Sequence, residues 1–111
     1  MKFIKDNDVY KVARITGAQD NILGVSFSET GSNFQIIEWK TKKGLIHKTS
    51  SEEVLKQVEE GLRDINRELE VNYNLSKIYF LPSDSPSNSV YKYLITEIVK
   101  RLDNKEEFVT V

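Results

Sequence analysis

The sequence predicts an α+β domain, a mixed and mostly antiparallel sheet with two amphipathic helices packed on it. Three observations predict this. Alternating, β-branched runs occupy the first third of the chain. An apolar repeat of helical period follows from Ser50 to Leu69. A nearly continuous apolar run, LSKIYFL, then precedes a second helical repeat from Val90 to Leu102. In chain order this reads β-β-β-α-β-α.

Val9 to Thr16, VYKVARIT, is the first expected strand. Gly17 to Asn21 is turn-like. In Ile22 to Ser28, Leu23, Val25 and Phe27 alternate with Gly24, Ser26 and Ser28, the pattern of a half-buried strand. Gly24 marks a bulge or a close approach by a neighbour. Thr30 to Asn33 has the length of a hairpin loop. Phe34 to Thr41 is the third strand and carries the only tryptophan, Trp39. These three form a meander, with the third read as a central strand whose Glu38 and Lys40 are edge or surface charges. Leu45 to His47 is a short further strand or the lead into a helix.

The first helix has a capping box, Ser50 with Glu53 three residues on. Val54, Leu55, Val58, Leu62, Ile65 and Leu69 then share one face. Gly61 lies within that face at a cost of up to about 1 kcal/mol relative to alanine, which predicts close packing by another element. The burial expected of Leu75 to Leu81 suits an inner strand. Ser85 and Pro86 read as the cap and first position of the second helix, whose apolar face is Val90, Tyr91, Leu94, Ile95, Ile98 and Leu102. The tail KEEFVTV is frayed or a late edge strand.

A chain of 111 residues is expected to form a single domain over 1–111 with a real core. No apolar run approaches membrane-spanning length, and MKFIKDND lacks the pattern of a signal peptide, so a cytoplasmic protein is expected. The absence of cysteine removes disulfides, thiolate catalysis and Cys/His zinc sites. One histidine, His47, is present without a Gly-x-Ser-x-Gly turn, and an ordinary surface or hydrogen-bonded side chain is expected there. No cofactor or metal is expected.

The net charge of −1 is unevenly spread. Residues 1–48 hold eight basic and five acidic side chains, and residues 49–111 hold eight basic and twelve acidic ones. Neither half has the charge of a committed nucleic-acid binder. Lys40, Lys42, Lys43 and Lys48 make a basic spot near Trp39 and His47, the pattern of a single-strand contact or of a solvated hairpin end. The loop PSDSPSN leads into a helix but has no glycine for a phosphate to approach, and capping is the better account.

Within Ile36 to Lys40 the spacing Glu38-x-Lys40 resembles the Glu-x-Lys strand of the PD-(D/E)xK nuclease superfamily. Asp20 stands directly ahead of the preceding strand, where that family carries an aspartate. The resemblance implies Mg²⁺ held by Asp20 and Glu38, with Lys40 activating the attacking water. Gln19 stands before Asp20 instead of proline. The same spacing is also ordinary charge decoration of a half-exposed sheet.

From Glu52 to Glu70 the first helix carries seven acids and three basic residues. Such a face is a solvated surface or a docking site for a basic protein. In size, composition and lack of a catalytic set the chain resembles the immunity proteins of bacterial polymorphic toxin and contact-dependent growth inhibition systems. That resemblance implies a non-enzymatic protein-binding inhibitor that covers a cognate, basic toxin domain, often a nuclease. Its expected contact residues are Glu59, Glu60, Asp64 and Glu68. The alternatives are the metal-dependent nuclease above and a small adaptor without catalysis.

Overall fold

The computed structural model describes residues 1–15, 20–30, 34–41, 43–84 and 89–111. The elements are β1 (Lys2–Asp6), β2 (Val9–Ile15), β3 (Asp20–Ser28), β4 (Gln35–Glu38), α1 (Ser51–Leu69), β5 (Asn74–Phe80), α2 (Val90–Asp103) and β6 (Val109–Thr110). They build one six-stranded sheet in the order β4-β5-β3-β2-β1-β6. β4 runs parallel to β5 and β6 parallel to β1, and the remaining pairs are antiparallel. The fold is α+β with a mixed sheet, as the patterning predicts.

Strand alternation divides the sheet into two unlike faces. Val12, Leu23 and Phe80 lie in one cross-strand row, and Tyr10, Val25 and Ile78 in the next. All but Tyr10 are fully buried, in one core with Val54, Val58 and Ile65 of α1 and Leu94, Ile95 and Ile98 of α2. Both helices therefore cover this face. The alternate residues, among them Lys11, Gly24 and Tyr79, occupy the opposite face, over which no helix of the described residues lies.

The local signals act as expected in α1. Ser50 Oγ accepts the Glu53 amide at 3.3 Å. At the other end Glu70 adopts a left-handed conformation with φ 55°, and the Val71 amide donates back to the Asn66 carbonyl. The Asn66 side chain then holds both backbone groups of Tyr73 at 3.0 Å, which aims the chain into β5. Gly61 is the contact point with α2. A Cβ there would lie 2.6 Å from Ile95 Cγ2 and 2.7 Å from the Lys92 carbonyl oxygen.

The pairing departs from the expected meander. β4 does not lie beside β3, because β5 is inserted between them. A chain leaving β4 through a 19-residue helix returns alongside β4 in parallel, and the apolar β5 takes the inner place. Trp39 extends that pairing, its amide donating to the Phe80 carbonyl at 2.8 Å. β4 is thus an edge strand and not the central strand expected, because the more apolar β5 takes the inner place. β1 is a strand additional to those expected, and its apolar signal is confined to Phe3 and Ile4 between two lysines. β6 makes the tail a late edge strand, anchored by Phe108 against Phe3 and Tyr10 and by Arg101 over the Phe3 ring. Leu45 to His47 forms no strand. α2 begins at Val90 with Ser89 at the cap position, and the expected cap at Ser85 and Pro86 lies outside the described residues.

Candidate functional site

On α1 the burial of Val54, Val58, Gly61 and Ile65 turns the charged residues outward. At about 100° per residue, Glu60, Asp64 and Glu68 succeed one another at intervals of four along the shoulder nearest α2. Glu59 stands about 100° away from Glu60 on the same outward arc. Lys56, Arg63 and Arg67 run between, so acidic and basic lines alternate. Glu59, Asp64 and Glu68 are exposed and Glu60 is half-buried. Glu59, Glu60 and Arg63 share a shallow depression with Glu52, Leu55 and Lys56.

One of these acids is already engaged. Lys92 Nζ of α2 lies 3.0 Å from Asp64 Oδ2. That hydrogen bond, opposed by some desolvation and aided by the charges of Lys92, Arg63 and Arg67, holds the Asp64 carboxyl below its ordinary value. Among the described residues Glu59, Glu60 and Glu68 have no cation within 4.0 Å.

Glu38 and Lys40 are exposed at the end of edge strand β4. Glu38 is in register with Phe80, which is in register with Leu23. Asp20 begins β3 three residues before Leu23. The two backbone positions are therefore two strand spacings and three residues apart, about 10 Å in each direction. Among the described residues no group of three or more Asp, Glu and His is placed to hold a metal. His47 is exposed, with Nε2 3.5 Å from Thr41 Oγ1.

Two clusters were not assembled by the sequence. The first is polar and buried. Asp84, 5% exposed, accepts the Ile22 amide at 2.8 Å and the Tyr91 hydroxyl at 3.0 Å. The Asn21 amide reaches the Tyr91 oxygen at 3.4 Å, Gln57 Oε1 accepts the Tyr91 backbone amide, and Thr49 Oγ1 donates to the Asp84 carbonyl. This network ties the start of β3 to both helices and to the turn after β5. Burial first, then the neighbouring Asp84 charge, drives the Tyr91 hydroxyl far above the usual tyrosine range, against the Asn21 hydrogen bond that favours ionisation. Each of these contacts joins buried or half-buried parts of the same fold, and the network acts as a structural pin. A serine-rich turn gives no sequence sign of a buried carboxylate.

The second cluster lies on the open sheet face. Trp39 leaves β4 over Gly24, where a Cβ would stand 2.8 Å and 2.9 Å from two carbons of the indole. Its ring is nearly parallel to that of Tyr79, 15° apart with centroids at 5.6 Å. Lys11 Nζ lies 5.6 Å from the centre of the tryptophan and 3.2 Å from Asp6 Oδ2. Gly24 is thus a site of close approach, one of the two meanings its place in the strand allows.

Among the described residues no helix is long and apolar enough to cross a membrane. Comparison with protein families, with curated proteins and with solved structures finds no match to this chain.

Proposed function

We propose that this chain is a non-catalytic binding protein of the cytoplasm that neutralises a basic partner domain, in the manner of the immunity proteins it resembles. The observation that supports this is the outward arc of α1. Glu60, Asp64 and Glu68 form a ridge at four-residue intervals, with Glu59 beside it. The helix that presents them is capped at both ends and packed against α2 through Gly61. Acids held on an ordered backbone lose little freedom on binding, and they accelerate encounter with a cationic surface.

The test is purification of the tagged protein from its native host, beside a variant in which Glu59, Glu60, Asp64 and Glu68 are all changed to lysine. The proposal expects a stoichiometric basic toxin domain with the parent and none with the variant. A captured protein without toxic activity makes the chain an adaptor. Metal-dependent cleavage of DNA by the isolated chain, lost on Lys40→Ala, overturns the non-catalytic reading.

A further inference from the structure

We propose that the open face of the sheet is a second, separate binding site that takes single-stranded nucleic acid, with a base stacked on the Trp39–Tyr79 pair and phosphates held by Lys11 and Lys77. Four observations carry it. Two aromatic rings lie nearly parallel on this face, and each keeps part of its surface in solvent. A base offers a flat π-surface of the right shape to extend such a pair. Gly24 removes the side chain that would hold the indole off the strand, so the tryptophan lies against the sheet. Strand alternation places Lys2, Lys11 and Lys77 on this face, with Asp6 and the backbone position of Asp20 as the acids of the paired positions, so cations exceed acids by three to two on a chain whose net charge is −1. Lastly, one alternation along β3 from Gly24, Ser26 is 1% exposed and its hydroxyl has no hydrogen-bond partner among the described residues. Ile4, Val9, Ile22 and Ile37 share this face half-buried, so the proposed site is the aromatic and lysine cluster around Trp39 and not the whole face.

Single strands are favoured over duplex because stacking on Trp39 needs an unpaired base. Two or three phosphate contacts to a single strand predict an affinity that falls roughly tenfold between 50 mM and 200 mM salt.

The probe is a twelve-nucleotide oligothymidylate. Trp39 is the only tryptophan, so its emission reports on the site directly. Saturable quenching of Trp39 is expected, with a duplex of equal length binding at least tenfold more weakly. Anisotropy of the labelled oligonucleotide then compares variants. Trp39→Leu is expected to weaken binding about fivefold to a hundredfold. The double variant Lys11→Gln with Lys77→Gln alters only side-chain ends at the surface, and it is expected to weaken binding and flatten the salt dependence. Absence of quenching at 50 mM salt overturns the proposal. So does equal binding of oligothymidylate by the parent and by the folded Lys11→Gln, Lys77→Gln variant. Either failure leaves the α1 surface untouched, because the two sites lie on opposite sides of the molecule.

Discussion

The two outer surfaces of this molecule differ in chemistry although they belong to one two-layer fold. The outside of the helix layer is built from long charged side chains on α1, net acidic and interleaved with Lys56, Arg63 and Arg67. The outside of the sheet carries Trp39, Tyr79, Lys11 and Lys77 among half-buried aliphatic residues such as Val9, Ile22 and Ile37. Between them lies a core that both surfaces share. The difference teaches where function can reside. Residues facing inward fix the fold, and their neighbours one position away in sequence are free to be chosen for binding.

Phe80 and Tyr79 offer the sharpest way to break that division. They are adjacent on β5 and point to opposite faces. Phe80 is fully buried, and Phe80→Ala is expected to cost about 3–5 kcal/mol. Tyr79→Ala loses the ring contact with Trp39 and is expected to cost about 1 kcal/mol. Urea denaturation checks both, and equal losses would show that the open face is a second core.

The two tightly packed glycines extend the contrast. At Gly61 the obstacle includes the Lys92 carbonyl oxygen, which belongs to a helix backbone and cannot yield. Gly61→Val is expected to cost about 2–3 kcal/mol. At Gly24 the obstacle is the tip of an indole on an uncovered surface. Gly24→Ala is expected to cost under about 1 kcal/mol and to shift Trp39 emission to the red as the ring lifts into water.

The polar pin gives an effect of intermediate size. Tyr91→Phe removes a hydroxyl bound to Asp84 and is expected to cost about 1–2 kcal/mol. It also changes the response to alkali. Burial raises the Tyr91 pKa in the fold, while the unfolded chain ionises near the ordinary value of about 10. The stability contributed by this group is complete below about pH 10 and declines as pH rises beyond it. Thermal melts from pH 8 to 11 are expected to show a shallower alkaline decline for Tyr91→Phe than for the parent.

The sequence made local structure legible and long-range pairing much less so. α1 announced itself through Ser50, Glu53 and the spacing of Val54, Val58, Leu62 and Ile65. Gly61 and Gly24 each signalled a close approach, although neither named the neighbour. The place of β4 was hidden because alternation marks a strand without stating its partner, and its edge position follows from the chain returning through α1. β1 escaped notice because Phe3 and Ile4 are flanked by lysines. Asp84 was illegible in physical terms. Its burial depends on Ile22, Thr49 and Tyr91, which come from three distant segments.

The central claim is that the acids of α1 recognise a basic partner, and titration calorimetry of the co-purified partner tests it most directly. The parent should bind one to one, with an affinity that falls as salt rises. The Glu59, Glu60, Asp64 and Glu68 to lysine variant, folded by circular dichroism, should lose at least a hundredfold, since reversal replaces attraction by like-charge repulsion of several kcal/mol. Affinity of the variant within threefold of the parent would contradict the account and move the contact surface away from α1.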